Sequence, residues 1–232
     1  MKTWVSVSWE VINKNLSSIA VSSLVTNPLF ILLSFFTVLS IPTYLIYNIY
    51  KKVYEYYSIG NEDFYIPFDI KLFFLEGIKI FIVRLIALLP IVVPWVVSDF
   101  LIDLFLNTFI SDAMLYLILS GLYFLFVWLP LFWAYVSIYY FSIVAFDLCG
   151  FDISRVLRFS YQLFVQNISV SLIISLIYFI CFLLFLAPFF IVCCLTMSLL
   201  TMFFWYVTDI IIICYLASLK SNLNLSLGGE QK

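Results

Sequence analysis

Two ionisable side chains lie deep inside apolar stretches of this sequence and are the first candidates for chemistry. Arg84 follows the start of an apolar run near residue 78 by one or two helical turns, and Asp209 lies about ten residues from either end of another. A charged group in hydrocarbon costs about 2.5–3.5 kcal/mol on insertion scales, so each needs a function or a partner. We expect Arg84 and Asp209 to enter from the same side, to form an ion pair, and to mark a substrate or proton pathway.

Both residues also have purely structural interpretations, which the sequence favours over a substrate or proton role. Arg84 could extend its guanidinium to phosphates at the cytoplasmic surface. Asp209 could accept a hydrogen bond from a tyrosine or serine of a neighbouring helix. A transporter of charged solutes needs a continuous polar path near the middle of the membrane. Arg84 and Asp209 are the only charged candidates for such a path, which is few for a transporter of charged solutes. A small apolar or amphiphilic cargo therefore fits the sequence better than a charged solute.

Three aspartates in the segment 98–112 are candidates for a metal site. Asp99 and Asp103 are four residues apart, which places both carboxylates on one face of a helix, and Asp112 follows them. Carboxylate oxygens suit hard divalent cations, so the three could bind a cation on the outer side of a membrane. The same spacing is typical of a hydrated stripe on a helix at the membrane interface, and that interpretation is favoured.

Basic residues indicate which side of the membrane the loops face. Lys51, Lys52, Arg155 and Arg158 lie beside apolar runs, whereas the segment 98–112 has no lysine or arginine. Cytoplasmic loops are enriched in lysine and arginine, so these four residues are predicted to face the cytoplasm and to contact anionic lipid headgroups. The chain is therefore expected to be a multi-pass protein of the cell membrane, with both termini in the cytoplasm.

Several classes of function are disfavoured by what the sequence lacks. It has no histidine, 11 basic residues and a net charge of -2, so neither histidine-based chemistry nor a basic face for nucleic acid is expected. Its five cysteines have no C-x-x-C spacing, and there is no glycine-rich phosphate loop. No cofactor is expected, and an enzyme is the least favoured class. Active transport would require a separate ATPase or an ion gradient.

The elements that position these residues are predicted to be membrane helices. Hydrophobic residues make up 66% of the 232 residues and charged ones only 10%, whereas soluble domains are about a quarter charged. Apolar runs longer than about 18 residues predict transmembrane helices. The fold class is therefore all-α, a polytopic transmembrane helix bundle, with one integral membrane domain over 1–220 and a polar cytoplasmic tail over 221–232.

The number of membrane segments depends on residues 16–50, which either cross once or turn back at Asn27-Pro28. Six segments with both termini inside are favoured, and five with the N-terminus outside are the alternative. The other spans are predicted at four places: 78–97, 115–146, 168–187 and 189–219. Segments with polar stripes predict in-plane amphipathic helices over 3–15, 98–111 and 152–167.

An internal similarity supports the choice of six segments. Residues 8–17 align with residues 160–169, and both segments pass from an amphipathic helix into an apolar run at an Asn-aliphatic-Ser step. Repeats are common in membrane folds, and parallel copies keep the same orientation. A chance likeness between two helix entry points is the alternative. If the repeat is real, the N-terminal helix lies on the same side as residues 152–167.

A longer pattern follows the first half of the chain: an apolar span, a basic run, an acidic loop and a Phe-x-x-Gly-aliphatic-Lys entry to the next span. The residues are Thr43-Tyr44, Lys51-Lys52, Gly60-Asn61-Glu62-Asp63, Pro67-Phe68-Asp69 and Phe74-Leu75-Glu76-Gly77-Ile78-Lys79. This stretch resembles the DUF4013 family of uncharacterised prokaryotic membrane proteins. Thr43 replaces the usual glycine. The resemblance implies a fold and a membrane location, and it implies no activity.

Two functions are compatible with these features. The first is a permease-like protein, or one that handles lipids or small amphiphiles, because proline-broken spans and in-plane helices suit such a cargo. The second is a non-catalytic subunit or scaffold that packs against partner membrane proteins, since 21% aromatic residues suit helix contacts equally well. Membrane lipids are expected partners in either case, and a partner membrane protein in the second. A continuous polar path would distinguish the two, and transport is slightly favoured.

Overall fold

The computed structural model describes residues 2–25, 35–67, 69–110, 112–189 and 196–219. Among these residues there are helices and connecting segments but no strands, which confirms the predicted all-α class. A five-residue π-helical turn, Phe124–Trp128, lies between the fifth and sixth α-helices. The α-helices are α1 Trp4–Lys14, α2 Leu16–Val25, α3 Phe35–Ile59, α4 Ile70–Phe109, α5 Ala113–Tyr123, α6 Leu129–Cys149, α7 Ile153–Gln166, α8 Ile168–Phe189 and α9 Thr196–Leu219.

The chain divides into two compact units. Unit 1 contains Met1–Ile82 and Leu176–Lys232, and unit 2 is the continuous segment Val83–Ser175. The single domain expected over 1–220 stays a prediction. The predicted turn at Asn27-Pro28 and the tail over 221–232 lie outside the described residues.

Some of the helices are long and apolar enough to cross a membrane. In the described part of the chain, two stretches meet this condition, Leu75–Thr108 and Ala113–Cys149. A third is added if the bent pair Ile153–Gln166 and Ile168–Cys181 counts as one span. These apolar helices indicate a membrane protein.

Helix α4 differs from the predicted boundary between a span over 78–97 and a separate helix over 98–111. It runs without interruption from Ile70 to Phe109 and contains both Pro90 and Pro94. Residues 98–109 contain no glycine or proline that would end a helix. Polar residues at every fourth position form a stripe along one face of a helix. This pattern is the same whether residues 98–109 continue α4 or form a separate helix.

The predicted span over 115–146 is confirmed as a continuous helical stretch that changes register near its middle. Pro130 has no N–H, so the carbonyl four residues earlier, that of Phe126, loses its helical donor. Just before this position the N–H of Leu129 donates to the carbonyl of Phe124, five residues back. A π-helical turn of this kind inserts one extra residue into an α-helix. The break in the hydrogen-bond ladder is therefore absorbed without ending the helix.

In unit 1, helix α9 packs against α1, α2 and α3. The predicted N-terminal helix over 3–15 is confirmed, and the Thr3 side chain caps it by accepting from the Ser6 N–H. Val7 and Val11 on one face of α1 are buried, while the exposed positions carry polar residues together with Val5 and Trp9. The Trp4 ring on α1 meets the Tyr215 ring on α9 edge to face, with centroids 5.4 Å apart. Apolar contacts therefore hold α1 against α9.

In unit 2, α6 packs against α7 and shares an apolar cluster with α4. The buried members of this cluster are Ala87, Leu88, Ile91 and Ile138. The predicted amphipathic helix over 152–167 is confirmed as α7, whose N-terminus is capped by Asp152. Helices α7 and α8 meet at an angle of 93°. When one of two such helices follows the membrane normal, the other lies in the membrane plane.

The predicted internal similarity is matched by local geometry. Asn15 interrupts the helix between α1 and α2, and Asn167 does so between α7 and α8. Each asparagine is buried, and its side-chain amide donates to the carbonyl four residues earlier, over 3.0 Å. Ser8 and Ser160, at equivalent positions, also donate to carbonyls four residues earlier. The two segments therefore share a local structure as well as a sequence pattern.

Candidate functional site

The buried face of helix α4 carries Arg84. The side chains of Arg84, Ala87, Leu88 and Ile91 repeat at intervals of three and four residues, so they share one face of the helix. All four are buried, and Arg84 is only 3% exposed. The apolar cluster described above begins one turn after Arg84. The sequence of α4 therefore places a cation directly beside an apolar core.

The guanidinium of Arg84 lies over the ring of Tyr139 on α6. Its central carbon is 3.6 Å from the ring centroid, which is a close cation–π contact. The Tyr139 ring is stacked on Tyr135, with centroids 6.3 Å apart, and meets Tyr140 edge to face at 5.0 Å. A ring held by two neighbours fixes the plane of the guanidinium that rests on it. Tyr139 is therefore a positioning residue for Arg84.

Two nitrogen atoms of Arg84 have no hydrogen-bond partner. Nε and Nη2 are both buried and without an acceptor in the part of the chain that the structure describes. A buried donor without a partner costs about 1–3 kcal/mol, and more when the group is charged. The Tyr139 ring covers one face of the guanidinium but accepts no hydrogen bond from the N–H groups at its edge, so the cost of burying these donors remains. Arg84 is therefore the described residue with the clearest requirement for a further partner.

Helix α7 closes onto the same part of α4. The Tyr161 hydroxyl donates to the carbonyl of Ala87 over 3.3 Å, one turn after Arg84. Phe164, on the next turn of α7, packs against Trp133 of α6, with ring centroids 5.2 Å apart. Aromatic side chains from α6 and α7 therefore surround this section of α4. Within the described part of unit 2, the neighbours of this section of α4 are aromatic and aliphatic side chains and the Tyr161 hydroxyl.

Asp209, the other predicted pathway residue, lies on α9 in unit 1. It is 2% exposed, and it already interacts with another group. Its neighbour Thr208 is buried as well and donates to the Phe204 carbonyl. Arg84 belongs to unit 2, and the predicted ion pair between the two residues stays a prediction.

The three aspartates considered for a metal site each have a partner of their own. Asp99 accepts a hydrogen bond from the Tyr123 hydroxyl, and Asp103 accepts one from Asn107 over 2.8 Å. Asp112 caps α5 by accepting from two backbone N–H groups over 2.8 and 3.0 Å. No group of three or more acidic, cysteine or histidine side chains able to hold a metal occurs within the described ranges. The carboxylates therefore serve helix contacts and capping in this structure.

The four basic residues predicted at lipid headgroups have different surroundings. Lys52 pairs with Asp63 at 2.8 Å, and Arg155 pairs with Asp152 at 3.1 Å. Lys51 lies 5.0 Å from the centroid of the Tyr47 ring. Arg158 is exposed on α7. Their binding to headgroups stays a prediction.

A docked loop in unit 1 is a further feature that sequence reasoning missed. The Asn15 side chain donates to the Phe64 carbonyl over 2.7 Å and accepts from the Ile66 N–H over 2.9 Å. Ser18 donates to the Ile66 carbonyl over 3.3 Å, and Lys14 donates to the Glu62 carbonyl over 3.0 Å. Phe64 and Ile66 are buried while Tyr65 between them is exposed, but the sequence Phe-Tyr-Ile has no alternation of apolar and polar residues from which this could be predicted. We call this segment, residues 60–67, the docked loop.

Ion pairs lie along the exposed side of α1, and one of them joins the N-terminal segment to the docked loop, where Lys2 pairs with Glu62 at 3.5 Å. Glu10 pairs with Lys2 at 2.8 Å and with Lys14 at 2.9 Å, and hydrogen bonds from these two ammonium groups lower the pKa of Glu10. The hydrogen bond from Lys52 likewise lowers the pKa of Asp63 in the docked loop. These carboxylates remain charged well below neutral pH, so the polar surface of unit 1 keeps its ion pairs over the physiological range.

No protein-family model, curated protein or solved structure matches this chain. The resemblance of residues 43–79 to the DUF4013 family therefore stays a prediction. The candidate site rests on the geometry around Arg84 alone.

Proposed function

We propose that this chain is a multi-pass protein of the cell membrane that binds and moves a lipid or another small amphiphile. The proposal includes six membrane segments, cytoplasmic termini and the fold implied by the DUF4013 resemblance. Long apolar helices support the membrane location. The 93° angle between α7 and α8 supports an in-plane helix followed by a span. The basic residues outside the apolar runs support the orientation.

The observation that carries the proposed function is the buried, unsatisfied guanidinium of Arg84. A buried cation without an acceptor is costly, and an anionic ligand would remove that cost. The surroundings contributed by α4, α6 and α7 are aromatic and aliphatic, which suits the apolar part of the same ligand. A molecule with both an anionic and an apolar part is an amphiphile.

The experiment is lipid mass spectrometry on the tagged protein, purified in mild detergent. We expect one amphiphile to be enriched with the wild-type protein and lost from Arg84→Gln, because the variant removes the buried charge. Lys79→Gln is the matched control, since Lys79 is an exposed cation of the same helix that pairs with Glu76, and it should retain the amphiphile. If no amphiphile is enriched over the bulk lipid, the proposed function is wrong.

A second candidate function, a subunit or scaffold of a membrane protein complex, is favoured by helix α5. None of its residues is buried, and Met114 and Leu117 are largely exposed apolar side chains. Such a face contacts either lipid or a partner protein. Protein mass spectrometry of the same sample separates the two candidates. A stoichiometric membrane protein partner without an enriched amphiphile would favour the scaffold.

A further inference from the structure

The two unsatisfied nitrogens of Arg84 are on the same edge of the guanidinium. Nε and Nη2 each direct an N–H to one side of the planar group, so together they form a two-pronged donor. This fork matches the spacing of two oxygen atoms in a carboxylate or phosphate, which is why arginine binds these groups bidentately. Both atoms are buried and lack acceptors in the described structure. The edge that is free is thus one that an oxyanion fits.

We propose that the Nε–Nη2 edge of Arg84 binds the oxyanion of the amphiphile through two parallel hydrogen bonds. This inference rests on the proposed function and adds the chemistry of the ligand: a carboxylate or phosphate attached to an apolar chain. Tyr139 positions the guanidinium by covering its face at 3.6 Å. With the guanidinium held against the ring, both N–H groups of the edge lie beside the ring face and point away from the contact with Tyr139.

The carboxylates of unit 2 are already engaged, which favours a ligand over an internal partner. Five acidic residues occur between Val83 and Ser175, and all of them are aspartates. Four have the partners described above, namely a tyrosine, an asparagine, two backbone N–H groups and an arginine. The fifth, Asp147, has an interaction of its own. None of these carboxylates accepts from Nε or Nη2 of Arg84, so within the described part of unit 2 the edge has no carboxylate partner.

Asp209 of unit 1 is the competing occupant, because the sequence predicts its pairing with Arg84. It is not free in the structure either, since it already interacts with another group. Among the residues that the structure describes, none accepts from the two edge nitrogens of Arg84. An external oxyanion is therefore the occupant that the observations favour, and the test must contain a variant of Asp209.

The experiment measures binding of labelled ligands to the full-length protein in nanodiscs of zwitterionic lipid. The ligands are dodecanoate and dodecyl phosphate as the alkyl anions, dodecanol as the neutral analogue, and acetate and inorganic phosphate as anions without a chain. We expect the two alkyl anions to bind and dodecanol to bind weakly. Arg84→Lys should weaken binding of the alkyl anions about tenfold or more, because lysine keeps the charge but lacks the two-pronged edge.

Variants of the stacked tyrosine test the positioning role. Tyr139→Phe keeps the ring and should retain most of the affinity for the alkyl anions. Tyr139→Leu removes the ring and should lower this affinity as Arg84→Lys does. Lys79→Gln removes an exposed cation of the same helix and is the control for a general loss of charge, so it should bind as the wild type does. Circular dichroism of each variant checks that its helical content is retained.

Each remaining outcome has a distinct meaning. Equal binding of dodecanol and dodecanoate, or an unchanged affinity in Arg84→Lys, would overturn the inference while amphiphile binding stands. Oxyanion binding that emerges only in Asp209→Asn would also overturn it, since Asp209 would then be the native occupant. If acetate and inorganic phosphate bind as tightly as the alkyl anions, the edge is an oxyanion site but the proposed amphiphile is wrong. If no ligand binds, both proposals fail.

Discussion

Replacing Asn15 by alanine should release the docked loop from the junction of α1 and α2. The substitution removes the donor for the Phe64 carbonyl and the acceptor for the Ile66 N–H, whose distances to Asn15 are 2.7 and 2.9 Å. A buried polar group left without a partner costs about 1–3 kcal/mol, so the two together cost about 2–6 kcal/mol. Tyr65 and Pro67 beside them are exposed, so water can reach the freed groups. We therefore expect a loss of about 3 kcal/mol.

Hydrogen exchange of the backbone amides is the suitable assay, because it measures the free energy of local opening. Each 1.4 kcal/mol is a factor of ten, so the protection of the Ile66 amide should fall about a hundredfold. The hydrogen bonds from Ser18 and Lys14 to the loop remain in the variant. They should prevent complete release of the loop.

The internal repeat supplies a matched control. Asn167 occupies the equivalent position between α7 and α8, and the hydrogen bond resolved for its side chain goes to the Leu163 carbonyl. Asn167→Ala should therefore cost about 1 kcal/mol, the net value of one hydrogen bond. Equal losses in the two variants, or an unchanged protection of Ile66 in Asn15→Ala, would refute the reasoning.

Two further predictions concern the charged groups outside the site. The hydrogen bond from Lys52 lowers the pKa of Asp63 in the folded protein. This contact therefore stabilises the docked loop at pH values above the ordinary pKa of an aspartate. The stabilisation is lost as the pH falls through the lowered pKa, so an Asp63→Asn variant should show a weaker acid dependence of exchange in residues 60–67. Asp112→Ala removes the N-cap of α5 and should cost about 1 kcal/mol. We expect faster amide exchange at Met114 and Leu115 and no change elsewhere. Exchange that is unchanged at these two amides, or faster throughout α5, would contradict the prediction.

Local signals in the sequence were sufficient for several elements. The amphipathic helices α1 and α7 follow from the periodicity of their apolar residues, and each begins at a side chain that can cap it. The interruption at Asn15 and Asn167 was visible as a repeated Asn-aliphatic-Ser step. Each of these features depends on residues within a few positions of one another. Such features are the ones that a single sequence specifies most directly.

Other features depend on partners far apart in the chain. The docked loop contacts Asn15 from 49 to 51 positions away, and Arg84 stacks on Tyr139 in another helix. Arg84 was identified from the cost of burying a charge, but its aromatic neighbour has no local signature. The continuation of α4 past residue 97 was missed for a different reason, since a stripe of polar residues every four positions is the same in one helix as in two.

The division of the chain into a continuous and a discontinuous unit has a consequence for biogenesis. Unit 2 is complete once Ser175 has been synthesised, whereas unit 1 needs the last helix, α9, to cover α1, α2 and α3. During translation the apolar face of α1, α2 and α3 therefore stays uncovered until α9 has been synthesised. Proteins with several units are prone to misassembly while such a face is exposed. A chain that stops before α9 would leave that face uncovered, so the burial of α1, α2 and α3 depends on residues 196–219 being synthesised.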